Sequence, residues 1–229
     1  MSAACQSRPE YYAIMDATEQ YFHRLGDCPE GLGWPNTPDA LRRFDVMLNL
    51  IRPQDFGTGR ETDGIRRPIR LLDFGCGTGH LFEYLQKQNR YDIQYSGIDL
   101  SEKFVGIAKS KYPDADFRVL DVLERPEKLG QYDYALINGA FTSKCTMTFE
   151  VMWQTVQRIL KAVFAKVSFG LAVNTMSKHV DWERDDLFHL PMDLMAQFLC
   201  KDLTRHFVMR NDYGLYEYTT YIYQTRSER

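Results

Sequence analysis

The sequence predicts an α/β protein with a mostly parallel β-sheet, an N-terminal helical cap and a C-terminal antiparallel hairpin. From residue 69 onward, short apolar runs alternate with segments of helical periodicity, which is typical of strands and helices in βαβ order. Before residue 53, two segments have helical periodicity. Near the C-terminus, two β-rich runs flank Asn211-Asp212-Tyr213-Gly214, a segment rich in turn-forming residues.

The N-terminal region predicts two helices separated by a loop rich in glycine, proline and asparagine. Apolar residues recur at helical spacing over Tyr11–Leu25. The second helix is predicted to have Thr37 as its N-cap and Pro38 as its first residue, and to run to about Ile51. The predicted organisation is a helical cap over residues 1–52, a linker over 53–68 and a main domain over 69–229.

The main domain predicts a parallel sheet because helices separate its successive strands. The predicted strands are Ile69–Phe74, Gln94–Asp99, Asp116–Leu120, Tyr132–Asn138 and Ala165–Asn174, with helices at His80–Gln88, Glu102–Lys111 and Phe149–Phe164. After a loop over Met176–Leu190, the predicted elements are a helix at Pro191–Lys201 and the hairpin strands Leu203–Arg210 and Tyr216–Thr225.

Composition indicates a soluble globular protein without a strong charge bias. The 229 residues are 44% hydrophobic and 26% charged, with a net charge of -3. Such a chain has no global positive field to attract nucleic acid or anionic lipid. The five cysteines form no C-x-x-C pair, so they suggest neither disulfides nor a metal site and favour a cytoplasmic location. No apolar stretch is long enough to indicate a membrane span, and oligomeric state is not predicted.

The clearest motif is a glycine-rich loop between the first strand and its helix, Asp73-Phe74-Gly75-Cys76-Gly77-Thr78-Gly79. Glycines allow a tight turn and a close ligand approach, and the helix N-terminus offers free N–H groups. No Gly-Lys-Ser/Thr follows, and the alternating glycines do not match G-x-G-x-x-G. An acid before the glycines suits a ligand with a positive amino group rather than a pyrophosphate.

Two further acids end the next two predicted strands. Asp99 could accept hydrogen bonds from both hydroxyls of a ribose, and Asp121 could accept one from an adenine amino group. A single acid at a strand end usually caps the next helix, which Asp99 could do with Ser101. Three acids at successive strand ends are much harder to obtain by chance, and they indicate a nucleoside site.

These motifs resemble the cofactor half of class I S-adenosylmethionine-dependent methyltransferases. The loop from Asp73 to Gly79 matches their D/E-x-G-x-G-x-G pattern, and residues 132–138 match their fourth strand. The resemblance covers roughly residues 69–225 and implies a Rossmann-like sheet of seven strands. It implies S-adenosylmethionine as cofactor, S-adenosylhomocysteine as product, and cofactor contacts from Asp73, Gly75, Cys76, Gly77, Gly79, Asp99, Leu100, Asp121, Val122 and Asn138.

The whole chain is also similar to a group of bacterial methyltransferase-like proteins. That similarity does not identify a substrate. It lies in the stretches Gly33-Trp34, Arg43-Phe44, Asn174 to Asp181, Leu187-Phe188 and Tyr216-Glu217-Tyr218-Thr219.

Methyl transfer requires an acceptor held in line with the methyl group and, for some acceptors, removal of a proton. The resemblance implies that the N-terminal cap and the loops after the fourth and fifth strands form the acceptor site. Candidate catalytic residues there are His179, His189 and Asp181, since a histidine can act as a base near neutral pH. Candidate substrate contacts are Tyr12, Trp34 and Lys144, although a solvated loop and aromatic packing remain open alternatives.

The absence of several sequence motifs narrows the range of possible methyl acceptors. Asn138-Gly139-Ala140-Phe141 lacks the Asn/Asp-Pro-Pro-Tyr/Phe signature of adenine and glutamine methylation, no Pro-Cys stands there, and no basic tract marks an RNA binder. We therefore expect transfer to an O or N atom of a small molecule: a metabolite, sugar or natural-product intermediate. The alternatives are a protein or RNA methyltransferase and a noncatalytic methyltransferase-like binding module, although the intact acid and glycine set argues against the last.

Overall fold

A single sheet of seven strands runs through the described residues, 8–55 and 67–225, of this computed structural model. Its strand order is 3-2-1-4-5-7-6; neighbours among the first five strands pair parallel, and the seventh is antiparallel to both of its neighbours. This order confirms the predicted Rossmann-like sheet with a C-terminal antiparallel hairpin. The strands are β1 Ile69–Phe74, β2 Ile93–Asp99, β3 Asp116–Val119, β4 Tyr132–Ile137, β5 Val167–Met176, β6 Phe207–Arg210 and β7 Glu217–Tyr223.

Helices cover both faces of the sheet. They are α1 Tyr12–Leu25, α2 Thr37–Leu48, α3 His80–Lys87, α4 Glu102–Lys111, α5 Phe149–Phe164 and α6 Met192–Phe198. Residues 56–66 of the predicted linker lie outside the described residues. Among the helices that are described, none has the length and hydropathy needed to cross a bilayer.

Two buried clusters lie on opposite faces of the sheet. Leu72 of β1 packs in a cluster with Val156 of α5, whereas its neighbour Leu71 packs in a second cluster with Met47 of α2 and Leu85 of α3. Adjacent residues of a strand point to opposite faces, so a strand covered on both sides is apolar throughout. This explains why β1 and β4 carry apolar residues on both faces, with Arg70, Asp73 and Asp133 as their charged residues.

Helix α2 begins one residue earlier than predicted. Its N-cap is Asn36, whose side-chain oxygen accepts a hydrogen bond from the Asp39 amide at 2.8 Å. Thr37 is therefore the first helical residue and Pro38 the second, where a missing N–H costs nothing. The helix ends at Leu48, three residues before the predicted Ile51.

Two boundaries near the C-terminus also differ from prediction. Strand β5 begins at Val167 rather than Ala165, because Ala165 caps α5 and its amide donates to the Lys161 carbonyl. Strand β6 begins at Phe207 rather than Leu203, because a π-helical turn, Leu199–Leu203, extends α6. Neither glycine nor proline stands at either of these limits to indicate them.

Candidate functional site

A cavity of about 590 Å³ lies at the carboxyl ends of β1, β2 and β4. This volume is ordinary for a small-molecule site. Helix α1 and the loop that follows it form the opposite wall of the cavity, with mostly apolar side chains. Predicted cofactor residues among those that line the cavity are Asp73, Gly75, Cys76, Gly77, Asp99, Leu100 and Asn138.

The glycine-rich loop turns sharply at the floor of this cavity. Gly75, Gly77 and Gly79 have φ angles of +75°, +54° and +87°, in the left-handed region that favours glycine. The amides of Gly75 and Cys76 both donate to the Ile98 carbonyl, at 2.8 and 3.0 Å. The turn is therefore fixed against the end of β2, beside Asp99.

Asp99 binds the backbone on both sides of the cavity rim. Its Oδ2 accepts from the Gly77 amide and its Oδ1 from the Ser101 amide, both at 2.9 Å. A carboxylate has about four lone-pair sites, so each oxygen retains capacity for a hydroxyl donor. The cap of α4 is Ser101, whose hydroxyl accepts from the Phe104 amide at 3.0 Å, so Asp99 is not needed as a helix cap.

Asp73 lies beneath the glycine turn and is 4% exposed. The Tyr95 hydroxyl donates to Asp73 Oδ2 at 2.7 Å. Burial raises the pKa of Asp73 to about 7, although this hydrogen bond opposes the increase. A cationic group placed nearby would favour the charged carboxylate.

Asn138 follows β4 and lines the cavity. Its Oδ1 is buried and has no hydrogen-bond partner among the described residues. A buried acceptor without a donor costs free energy, so a ligand N–H would complete this site. Together with the glycine turn and Asp99, this unpaired oxygen fits a nucleoside that carries an amino acid group.

The methyltransferase domain family matches residues 71–163 of the chain. The chain is 29% identical over 159 residues to Rv1506c of Mycobacterium tuberculosis, which is named as a methyltransferase; the alignment covers 66% of this chain and 91% of that protein. The chain belongs to the class I S-adenosylmethionine-dependent methyltransferases.

Two further comparisons agree with this assignment. The methyltransferase is 31% identical over 151 residues to norajmaline N-methyltransferase of Rauvolfia serpentina, covering 59% of this chain but only 49% of that enzyme. Its fold is similar to that of magnesium protoporphyrin IX methyltransferase of Synechocystis, with a TM-score of 0.62 and 15% identity, over 99% of this chain and 100% of the other.

Asp121, the predicted adenine contact, has other partners in the methyltransferase. Its Oδ2 accepts from the hydroxyls of Tyr11 and Tyr12, at 2.7 and 3.0 Å, and its Oδ1 accepts from the Leu123 amide at 2.8 Å. Asp121 therefore fastens the start of α1 to the end of β3. In the described part of the chain, the cavity lining does not include Asp121, Val122 or Gly79.

A second cavity of about 290 Å³ adjoins the first, and Trp34 lines both. Asp181 lines the second cavity and accepts from the Tyr216 hydroxyl at 2.9 Å. His189 also lines the second cavity, but it is only 5% exposed.

The predicted role of His189 as a base requires a free ring nitrogen, which the structure does not provide. Its Nδ1 lies 2.7 Å from the Ser177 carbonyl and must donate to it, while Nε2 accepts from the Arg184 amide at 3.2 Å. Both ring nitrogens are therefore occupied, and the imidazole supports the loop after β5. A backbone bridge between His189 and Met176, at the end of β5, holds the histidine in this buried position.

The other predicted acceptor contacts are scattered. His179 is exposed, and neither cavity within the described residues includes it. Tyr12 stacks on Tyr11 with the ring centroids 5.2 Å apart, and its hydroxyl donates a hydrogen bond to Asp121, so it does not face the cavities. Lys144 donates to the Met147 carbonyl at 3.4 Å. Of this group, Trp34 alone lines the first cavity in the part of the chain that the structure describes.

Asp27 is a residue that positions the glycine turn, and the sequence analysis missed it. It accepts from Thr78 Oγ1 at 2.6 Å and from Lys111 Nζ at 2.9 Å, and it lies 2.9 Å from His80 Nε2. Burial raises the pKa of Asp27, but these hydrogen bonds outweigh it and lower the pKa overall. Asp27 therefore fastens the loop after α1 to the glycine turn.

A closed ring of contacts that the sequence analysis also missed holds Trp34 in place. The Gly139 amide donates to Asn174 Oδ1 at 2.7 Å, and Asn174 Nδ2 donates to Glu217 Oε1 at 3.1 Å. Glu217 accepts from Arg43 Nε at 3.0 Å, and the Arg43 guanidinium lies 4.6 Å from the Trp34 ring centroid. Trp34 closes the ring because its indole packs against Gly139. A Cβ added to Gly139 would lie only 2.3 Å from the indole.

Proposed function

We propose that this methyltransferase moves the methyl group of S-adenosylmethionine to an O or N atom of a small-molecule acceptor by in-line displacement. The observation that carries the proposal is the cavity between the glycine turn and α1, where a polar floor faces an apolar wall. The cofactor supplies a methyl group on a positively charged sulfur, so the chain needs no covalent nucleophile. Its residues have to bind the cofactor and the acceptor, orient them for transfer and exclude water from the cavity.

The polar floor supplies a contact for each part of the cofactor. We assign the ribose hydroxyls to Asp99, whose two oxygens face the rim between Gly77 and Ser101. We assign the amino group of the methionine part to the region between Asp73 and Asn138, where one acid is buried and one amide oxygen is unpaired. Gly75, Cys76, Gly77 and Leu100 provide close backbone approach along this floor.

The enclosing wall favours a small acceptor over a protein or RNA. Tyr11, Ile14, Met15 and Tyr21 of the N-terminal region cover the cavity from above. A macromolecular substrate needs an open surface, whereas a small apolar molecule gains free energy from enclosure. The name of one relative, norajmaline N-methyltransferase, supports the same substrate class.

Orientation rather than a dedicated base is the main contribution that we assign to the protein. His189 has both ring nitrogens bonded, and His179 is exposed away from both cavities in the described ranges. Asp181 remains the candidate proton acceptor because it lines the second cavity. An acceptor that reacts in its neutral form can release its proton to water after transfer.

Release of S-adenosylhomocysteine tests this proposal directly. The full chain is incubated with S-adenosylmethionine and, separately, with amines, phenols, sugars, bulk tRNA and an unfolded basic protein. We expect release above the acceptor-free background with at least one small-molecule class. Release only with tRNA or protein would overturn the small-acceptor assignment, and no release together with no cofactor binding would favour a binding module.

A further inference from the structure

The second cavity has features that cofactor binding does not use. It lies between the loop after α1, the start of α2, the loop after β5 and the start of β7. Trp34 separates it from the first cavity and is fixed there by the ring of contacts through Gly139, Asn174, Glu217 and Arg43. A molecule that extends past Trp34 would therefore lie in both cavities.

Arg43 supplies unused hydrogen-bond donors to this cavity. The side chain is buried, and its Nε bonds both carboxylate oxygens of Glu217 at 3.0 Å. An arginine–carboxylate pair usually forms two parallel hydrogen bonds from two nitrogens, but here Nε makes both. Arg43 Nη1 is buried without a hydrogen-bond partner in the described part of the chain. Nη1 carries two of the five N–H donors of the guanidinium, and these two remain for a ligand oxygen.

The charges around the cavity favour an uncharged ligand. Glu217 balances the charge of Arg43, and Arg184 is paired with Asp186 at 2.6 Å. Two further acids, Asp39 and Asp181, line the same cavity. A carboxylate ligand would meet this excess of negative charge. An ammonium ligand has no lone pair with which to accept a hydrogen bond from the unpaired Nη1 of Arg43.

Aromatic side chains give the cavity a preference for flat molecules. Trp34 forms the wall shared with the first cavity, and Trp182 and Tyr216 stand at the mouth. Trp182 is 70% exposed, which is unusual for so large an apolar side chain and typical of a recognition surface. Flat rings stack on such side chains with little loss of conformational freedom.

We propose that the second cavity binds an uncharged planar ring that carries a hydroxyl or carbonyl oxygen, and that this oxygen accepts a hydrogen bond from Arg43. The ring belongs to the methyl acceptor, so the inference rests on the proposed function and specifies its substrate class. Arg43 is then a residue that determines specificity, while Trp182 covers the ring. The methylated atom of the acceptor lies beyond Trp34, toward the first cavity.

Three probes that share one ring system test the charge preference. Naphthol is neutral near pH 7, naphthoate is an anion and naphthylmethylammonium is a cation. Each is titrated into the full chain saturated with S-adenosylhomocysteine, and affinity is read by calorimetry or saturation-transfer NMR. We expect naphthol to bind at least about tenfold more tightly than the other two. Tighter binding of either charged probe, or no binding of naphthol, would overturn the proposal.

Variants test whether Arg43 carries the recognition. Arg43→Met alone leaves Glu217 buried without its partner, so it is paired with the double variant Arg43→Met, Glu217→Gln, which removes both charges. We expect both variants to lose at least about tenfold in naphthol affinity, and Trp182→Ala to lose affinity as well. The matched control is Arg42→Met, since Arg42 is the exposed neighbour that bonds the Tyr213 carbonyl. Unchanged naphthol affinity in the folded double variant would contradict the assignment.

The cofactor titration keeps this inference separate from the proposed function. The affinity of Trp182→Ala for S-adenosylhomocysteine should stay within about twofold of wild type, because Trp182 is exposed and lies outside the lining of the first cavity in the described residues. If the protein binds the cofactor but does not bind naphthol more tightly than the two charged probes, the inference is refuted and the proposed function is not. Failure of the wild-type protein to bind S-adenosylhomocysteine would refute the proposed function itself.

Discussion

The hydroxyl of Tyr11 donates a 2.7 Å hydrogen bond to Asp121 Oδ2, which joins the start of α1 to the end of β3. The side chain of Tyr11 also lines the first cavity. The same acid thus fastens the helix that covers the cavity and stands where the family resemblance implies an adenine contact. Burial and the hydrogen bond with Asp121 both raise the pKa of the Tyr11 hydroxyl, so it remains a donor at neutral pH.

Removing this hydrogen bond should loosen the cover over the cofactor. We predict that Tyr11→Phe raises the dissociation rate of S-adenosylhomocysteine about fivefold, since one net hydrogen bond is worth about 1 kcal/mol. Stopped-flow displacement measures the rate. Tyr91→Phe, on the exposed side of the turn before β2, is the control and should change nothing. If S-adenosylhomocysteine dissociates from Tyr11→Phe at the wild-type rate, the hydrogen bond between Tyr11 and Asp121 does not hold α1 over the cavity.

The raised pKa of Asp73 predicts a pH dependence of stability. Burial raises this pKa from 3.8 to about 7, so the protonated acid stabilises the fold fully below about pH 4 and this stability is lost as pH rises to 7. Asp73→Asn keeps the uncharged state at every pH. Relative to wild type, its free energy of unfolding should therefore rise between pH 4 and 7, by on the order of 2–4 kcal/mol. Urea unfolding at several pH values measures the difference, and a constant difference would contradict the raised pKa.

The buried pair of Arg43 and Glu217 predicts unequal effects of single and double substitution. Glu217→Gln leaves a buried guanidinium unpaired and should destabilise the protein by about 3–5 kcal/mol. Adding Arg43→Met should restore part of that loss. Asp202→Asn, which breaks the exposed pair with Lys161, is the control and should cost at most about 1 kcal/mol. Urea unfolding compares them, and equal effects of the buried and exposed pairs would refute the prediction.

Two glycines should respond in opposite directions to alanine. Gly139 has a φ of +81°, and its Cβ would lie 2.3 Å from the Trp34 indole, so Gly139→Ala should cost about 1–3 kcal/mol. Gly106 lies inside α4 with open space around it, so Gly106→Ala should stabilise by about 0.5–1 kcal/mol. Melting temperatures report both. If Gly139→Ala is neutral, Trp34 is not fixed on this turn.

Local patterns account for the parts of the site that the sequence predicted. The sequence predicts the glycine turn and Asp99 because a buried strand, a turn and a helix follow one another within a few residues. The glycines there indicate positive φ angles, and the position of Asp99 at the end of a parallel strand places it at the ligand-binding edge of the sheet. The alternative that Asp99 merely caps a helix was also decidable only in the structure, where Ser101 takes that role.

Long-range contacts account for what the sequence did not predict. Arg43 and Glu217 are 174 positions apart, and Asp27 and Thr78 are 51 positions apart. No periodicity relates residues from different elements, so their pairing depends on the packing of α2 against β7 and of the α1 loop against α3. The sequence predicts His189 as a candidate base because the bridge to Met176, which buries the histidine, is likewise not visible in the local pattern.

Calorimetric titration with S-adenosylhomocysteine, comparing wild type, Asp99→Ala and Asp92→Ala, tests the central claim most directly. Asp92 directly precedes the opposite end of β2 and pairs with Arg90, so it controls for loss of an acid next to the same strand. Wild type and Asp92→Ala should bind alike, and Asp99→Ala should lose at least about 2–3 kcal/mol of binding free energy. No binding of wild type at millimolar ligand, or unchanged affinity of Asp99→Ala, would contradict the account.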